Sequence, residues 1–172
     1  MKIFKLTLIT LFIATIASCS SDDDNSNAIT ADITGVWQGE SFDYSGATTT
    51  EVLGESITAD FVAETENIDY TLTFSENPNE VVADGSYDVV LTTTVAGQTT
   101  TQTVPGTDFL NSGSWELTNN TITFMVDGET SEATIQTLTD NLLVLVVAET
   151  QDISQQGITA STTIDAVLTF TR

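Results

Sequence analysis

The chain has 172 residues and is strongly acidic, with 25 aspartates and glutamates against three lysines and arginines, no histidine and a single cysteine. The formal charge of −22 repels nucleic acid and anionic headgroups, which excludes nucleic-acid binding. Without histidine there is no Ser–His triad and no common zinc site, and one cysteine leaves no intrachain disulfide. We therefore predict no enzymatic activity, no catalytic residue and no cofactor. A pair of carboxylates acting as a hydrolase is the remaining enzymatic alternative.

The first 18 residues have the features of a signal peptide, because Lys2 and Lys5 precede an apolar run, Leu6 to Ala17, that is short for a membrane span. The segment IASC at residues 16–19 resembles the lipobox of bacterial lipoproteins. That resemblance implies that Cys19 becomes the first mature residue and carries lipid, palmitate included, which anchors the protein in the outer membrane. The mature chain then keeps one basic and 25 acidic residues, a formal charge of −24.

Residues 19–32 form the next predicted segment, a flexible acidic tether, because the sequence CSSDDDNSNAITAD has no hydrophobic periodicity. A serine and acidic residues directly after the lipidated cysteine resemble the surface-export signal of Bacteroidota lipoproteins. The resemblance implies exposure at the cell surface. A solvated spacer has the same composition, so the role of Asp22 to Asp24 stays open.

From Gly35 onward apolar residues alternate with a period of two, as in Tyr70, Leu72 and Phe74, which is typical of half-buried strands. Strands are predicted at residues 35–44, 56–63, 67–75, 84–96, 98–104, 113–118, 121–126, 132–138, 141–149 and 158–171. Tight turns are predicted at Asn119–Asn120, Asp127–Gly128 and Asp140–Asn141. Eight to ten sequential antiparallel strands favour an all-β, up-and-down barrel. A sandwich is the alternative, because the run Leu142 to Ala148 is apolar on both faces.

Several short segments resemble the lipocalin-like domains of Bacteroidota lipoproteins: GVWQGE from Gly35, GSYDVVL from Gly85, GSWELTNNTITF from Gly113 and ATIQTLTDNLLVLVV from Ala133. The resemblance implies an antiparallel barrel of about eight strands, here over residues 33–172, with no catalytic set. Lipocalins often place an arginine over the first-strand tryptophan. Arg172 is the one basic residue of the mature chain, so we hypothesise that it reaches Trp37.

Aromatic residues on the inward faces of the predicted strands are the candidate ligand-binding residues: Trp37, Tyr70, Tyr87, Trp115 and Phe124. They could line an apolar pocket inside the barrel. The alternative is that they simply fill the core. In that case the domain is a structural or interaction module whose outer loops, such as Gly97 to Asn111, make the contacts.

Calcium is the metal that the acidic sequence favours most, since hard cations prefer carboxylate and carbonyl oxygens. The candidates are Asp22 to Asp24 and the loop that contains Asp127, Glu129 and Glu132, although neither matches EF-hand spacing. Solvated acidic loops are the simpler interpretation. The sequence thus predicts a membrane-anchored, surface-exposed lipoprotein whose lipocalin-like barrel binds a small apolar ligand or a partner protein.

Overall fold

The computed structural model describes residues 31–52, 54–106, 109–155 and 158–172, and these form nine antiparallel strands joined by turns. The predicted signal peptide, Cys19 and most of the tether lie outside the described residues. The strands are β1 Gly35–Val52, β2 Glu55–Ser75, β3 Glu80–Val95, β4 Gln98–Pro105, β5 Gly113–Thr118, β6 Thr121–Val126, β7 Glu129–Leu138, β8 Leu142–Gln155 and β9 Ile158–Thr171.

Eight of the nine strands close into a ring. The sheet order is β2-β1-β9-β8-β7-β6-β5-β3-β4, and a further pairing between β2 and β3 completes the ring. The β3–β5 contact is short, since only Glu80 and Val81 pair with Ser114 and Gly113. Residues 88–95 of β3 pair with β4 instead, so β4 lies outside the ring. The predicted up-and-down antiparallel barrel is confirmed.

The predicted turns around the short strands are confirmed, and two of them contain left-handed residues. Asn119 and Asp127 have φ angles of 56° and 53°, and Gly128 has a φ of 88°. Such angles match the tight hairpin turns that these residue types tolerate. They explain why the predicted bounds of β5 and β6 coincide with the observed ones.

The separate strands predicted at 56–63 and 67–75 are wrong, because they are one continuous strand, β2. Its pairing with β3 shifts between Glu66 and Asp69, where Asn67 has a φ of 49°. A β-bulge of this kind bends a strand without ending it, although its sequence looks like a turn. The strand predicted at 98–104 is confirmed as β4, Gln98–Pro105, so most of the predicted contact loop Gly97 to Asn111 is strand.

The closed part of the barrel has an entirely apolar core among the described residues, with no buried polar or charged side chain. Its largest fully buried side chains are Trp37, Phe74, Phe124, Phe170, Leu72, Ile122, Leu143, Leu145 and Leu168. They come from five of the ring's strands, β1, β2, β6, β8 and β9. The loop after β4 adds Leu110, which is buried, and Phe109, which is partly buried, against this core.

The six strands β8-β9-β1-β2-β3-β4 continue beyond the closed barrel as a single layer that we call the open sheet. It comprises residues 147–155, 158–166, 44–52, 55–63, 88–95 and 98–105, in that spatial order. Nine residues at about 3.3 Å each make it about 30 Å long. In the described part of the chain, β7 pairs with β8 no further than Val146. The open sheet therefore has two edges, β8 and β4.

Candidate functional site

The five predicted ligand-binding residues all lie in the barrel core, where none is more than 5% exposed. They fall into separate groups. Tyr70 and Tyr87 surround Phe42, whose ring centroid lies 5.3 and 4.9 Å from theirs. Trp115 packs edge-on against Phe74 at 5.6 Å. Each group is held by aromatic contacts within the protein, which are worth roughly 0.5–1.5 kcal/mol per pair beyond burial.

Backbone carbonyls satisfy the polar atoms of three of these residues. Tyr70 donates its hydroxyl to the carbonyl of Leu110 at 2.7 Å. The indole N–H of Trp37 donates to Ile33 at 2.7 Å, and that of Trp115 donates to Ser75 at 3.1 Å. These donors already have acceptors, so they are not held ready for the polar group of a ligand.

The upper mouth of the barrel is closed by the loop that follows β4. Phe109 and Leu110 cover Tyr70 and Tyr87, and the cavity between them and Phe42 measures about 10 Å³. That volume suits about one water molecule, whereas ligand pockets measure roughly 300–1,000 Å³. The packing therefore favours the alternative of a filled barrel, and ligand binding by the five aromatic residues stays a prediction. The signal that sequence reasoning missed is Phe109–Leu110, an apolar pair in a polar loop.

Arg172 covers the floor of the barrel, which confirms the hypothesis that it reaches Trp37. Its guanidinium carbon lies 4.1 Å from the centroid of the indole ring. The guanidinium also donates to three backbone carbonyls, those of Asp140 at 2.6 Å, Thr34 at 2.6 Å and Asp32 at 3.0 Å. Arg172, which follows β9, thus connects the residues just before β1 to the β7–β8 turn through these hydrogen bonds.

Replacing Arg172 with alanine is expected to lower the free energy of unfolding by about 1–2 kcal/mol, through loss of the cation–π contact and of three charge-assisted hydrogen bonds. Arg172→Lys is expected to lie between alanine and wild type, because an ammonium keeps the charge but not the planar fork. Urea unfolding measures both. An alanine variant as stable as wild type would contradict a structural role for this contact.

Asp32 lies beside this floor, and its carboxylate accepts two hydrogen bonds from Thr34. Thr34 donates its backbone N–H to one carboxylate oxygen at 2.8 Å and its hydroxyl to the other at 2.9 Å. These two hydrogen bonds, with a smaller contribution from Arg172, lower the pKa of Asp32. A lowered pKa stabilises the fold above the ordinary pKa of aspartate, and the benefit is lost as the pH falls through the lowered value.

The inner face of the open sheet continues the surface that lines the barrel, because residues two apart on a strand share a face. Its exposed apolar side chains are Ile57 at 60%, Ile153 at 51% and Val95 at 36%. The other described members of this inner face are Gly46, Thr48, Thr50, Ala59, Phe61, Thr93, Gln98, Thr100, Gln102, Gln151, Ala160, Thr162 and Ile164. Its only described carboxylates, Glu55 and Glu149, lie at the margins.

The outer face of the same strands is acidic by contrast. A shallow groove of about 610 Å³ lies there, with Asp43, Glu64 and Asp165 around the exposed Val62 and Val167. Among the described residues no carboxylate is buried in this groove or elsewhere. The two faces therefore differ in charge, with the inner face close to neutral at its centre.

A protein-family model described as a lipocalin-like domain matches residues 33–145. The chain belongs to this lipocalin-like domain family. The matched range begins just before β1 and ends within β8, so β9, which closes the ring, lies beyond it. No curated protein and no solved structure matches the chain. The fold of the lipocalin-like domain is that of a ligand-binding or interaction module.

The calcium candidates have different outcomes. Within the ranges that the structure describes, no group of three acidic side chains converges to hold a metal ion. The candidate at Asp127, Glu129 and Glu132 therefore finds no support, since Asp127 lies in the β6–β7 turn and the two glutamates lie on β7, which favours the interpretation as solvated acidic side chains. Asp22 to Asp24 lie outside the described residues. The described part of the lipocalin-like domain also holds no helix long and apolar enough to cross a membrane.

Salt is expected to stabilise the lipocalin-like domain. The described residues carry 21 carboxylates and one cation, Arg172, so like charges crowd the surface. Raising the salt from about 0.05 to 0.5 M shortens the screening length and should raise the melting temperature. Circular dichroism measures this, with calcium chloride at matched ionic strength as the control. A melting temperature that does not change with salt would contradict an energetic role for the acidic surface.

Proposed function

We propose that this protein is a lipid-anchored lipoprotein exposed at the cell surface, and that its lipocalin-like domain binds a partner protein through the inner face of the open sheet. The anchor rests on the lipobox-like segment that ends at Cys19. The outer membrane is the proposed location, because the segment after Cys19 resembles a surface-export signal. The binding surface rests on the contrast between a filled barrel and an uncovered inner face.

The path of the chain supports this arrangement. Thirteen residues separate Cys19 from Ile33, and this stretch spans about 45 Å when extended. Ile33 is buried at the barrel floor, where its carbonyl accepts the indole N–H of Trp37, the residue that Arg172 covers. The β1–β2 and β3–β4 hairpins end at the opposite end of the molecule. A protein anchored through Cys19 therefore has its barrel floor towards the membrane and its open sheet pointing away from it.

One observation carries the proposal, the exposed apolar side chains of a nearly uncharged inner face. Ile57, Val95 and Ile153 are exposed on β2, β3 and β8, and Glu55 and Glu149 are the only described carboxylates on this face. Protein interfaces are likewise depleted of acidic residues. Six strands at about 4.8 Å spacing and about 30 Å length offer about 850 Å² to a partner, close to the standard share of about 800 Å².

A photo-crosslinking pair tests the proposed surface on intact cells. A benzoylphenylalanine at Ile57 faces the inner side of the sheet, whereas the same group at Thr58, the next residue on β2, faces the outer side. Both positions are exposed, so the two variants differ in direction and not in accessibility. We expect a discrete crosslinked species at Ile57 and none at Thr58. Equal crosslinking at both positions would contradict the proposal.

A small apolar ligand is the second candidate, and the junction of barrel and open sheet favours it. There the ring of Tyr44 lies 5.0 Å from that of Phe109 and 6.4 Å from that of Phe61. These partly buried rings form an aromatic corner above the closed mouth. Titration with a fluorescent fatty acid tests it, with Phe61→Ala expected to weaken binding and Val62→Ala, on the outer face, expected to leave it unchanged. No saturable binding by wild type would rule this candidate out.

A further inference from the structure

The outer edge of β4 is unpaired in the part of the chain that the structure describes, and the strand carries no charge. Among the described residues β4 pairs with β3 alone and ends the sheet order. Its sequence, QTTTQTVP, contains no ionisable side chain, and every residue except Val104 is exposed. An edge like this presents a row of free N–H and C=O groups to other strands.

The hairpin geometry identifies which backbone groups point outward. Ala96 and Gly97, with φ angles of 50° and 80°, form a two-residue turn closed by Val95 and Gln98. Antiparallel ladders alternate between hydrogen-bonded and non-hydrogen-bonded pairs. Counting from the closing pair, the N–H groups at positions 99, 101 and 103, all threonines, point away from β3. The next position in this series is Pro105, which has no N–H to leave free.

Side-chain contacts agree with this alternation. The hydroxyls of Thr101 and Thr92 lie 3.1 Å apart, and those of Thr99 and Thr94 lie 3.0 Å apart. Side chains approach most closely across non-hydrogen-bonded pairs, which is the assignment given to both pairs. Three free donors therefore lie in a row on one edge of β4.

The opposite edge of the open sheet provides an internal comparison. The corresponding stretch of β8 carries Glu149 and Asp152, and charged side chains are a usual protection of an exposed edge. Strand β4 has no such protection over its eight residues. In a mature chain of charge −24, an edge strand without a carboxylate is where a second acidic chain meets the least repulsion.

We propose that β4 pairs antiparallel with β4 of a second copy of this chain, about a two-fold axis, and so joins two open sheets into one. Two copies that each carry −24 can approach only where carboxylates are absent. In a two-fold pairing every residue of β4 faces another residue of β4, so no like charges are opposed. Antiparallel pairing places the two barrel floors at opposite ends, so an anchored pair has to lie along the membrane instead of standing on its barrel floors. Copies in detergent solution are free of this constraint. The inference does not depend on the proposed partner of the inner face.

Disulfide trapping of the purified mature protein in detergent tests the pairing. Thr99→Cys, Thr101→Cys and Thr103→Cys place a thiol along the edge, and Thr163→Cys places one on an exposed position of β9, a strand that is paired on both sides. Under a mild oxidant we expect at least one edge variant to form the covalent dimer at least tenfold faster than Thr163→Cys. The chain with Cys19 alone sets the background. Edge variants that all react no faster than Thr163→Cys would overturn the proposal.

A proline at the edge gives an independent test by sedimentation. Thr101→Pro removes an outward N–H and spares the hydrogen bonds to β3, whereas Thr101→Val loses the same hydroxyl but keeps the N–H. We expect a salt-promoted dimer for wild type and Thr101→Val, and monomer for Thr101→Pro. Monomer for wild type at every salt concentration, or a dimer that survives Thr101→Pro, would overturn the proposal. A dimer that weakens with salt would point to attraction between opposite charges and would overturn it as well.

Discussion

Replacing Trp37 with alanine is expected to lower the free energy of unfolding by about 3–5 kcal/mol. Trp37 is 0% exposed at the barrel floor, donates its indole N–H to Ile33 and lies under Arg172. Its removal opens a cavity, leaves the Ile33 carbonyl without its donor and removes the surface on which the guanidinium stacks. Urea denaturation, followed by the fluorescence of Trp115, measures the loss.

The matched control is Val36→Ala, on the same strand. Val36 is 57% exposed on the outer face, so its truncation is expected to change the free energy of unfolding by no more than about 0.5 kcal/mol. If Trp37→Ala and Val36→Ala proved equally mild, the barrel floor would not be packed around this indole. Combining Trp37→Ala with Arg172→Ala should lower the free energy of unfolding by less than the sum of the two single losses, because the two side chains contact each other.

Replacing Cys19 with serine is expected to abolish palmitate incorporation and to release the protein from the membrane fraction. Each buried methylene contributes about 0.8 kcal/mol, and two or more acyl chains are needed for stable anchoring, so loss of the thioether removes the whole of the proposed attachment. Radiolabelled palmitate and cell fractionation measure the two effects. The control is Ser20→Ala, one residue later, which keeps the thiol.

Membrane retention of the Cys19→Ser protein would contradict the proposed anchor. Palmitate incorporation that persists in this variant would place the lipid on another residue. Replacement of Asp22, Asp23 and Asp24 by alanine separates anchoring from export. Such a variant should keep its palmitate, and only its exposure to added protease on intact cells is expected to change if these residues are the export signal.

The parts of the fold that the sequence predicts best are those in which a turn residue and a buried face agree. Strands β5, β6 and β9 have the predicted bounds, since Asn119 and Asp127 mark the hairpins and inward side chains such as Phe124 alternate cleanly. The prediction is worst in the open sheet. The distal half of β1, with the sequence SGATTTEV, has no hydrophobic alternation, and none of its described side chains is fully buried.

The candidate site shows the same division between local and tertiary information. The alternation of Tyr70 and Tyr87 predicts that their side chains point inward, and both are buried. It cannot predict that Phe109 and Leu110, from a loop distant in sequence from Tyr70, fill the space between them. The near-neutral inner face also depends on the pairing register of six strands, which local sequence patterns do not determine.

The barrel is filled by the protein's own side chains, and we propose that binding takes place instead on the inner face of the open sheet. The filled barrel is tested by native mass spectrometry of the mature protein, extracted in mild detergent. The predicted result is the mass of the lipidated polypeptide, singly or paired, with no additional small molecule. A small molecule that is retained by wild type and lost from Phe42→Ala, whose side chain lies at the centre of the filled mouth, would contradict the claim.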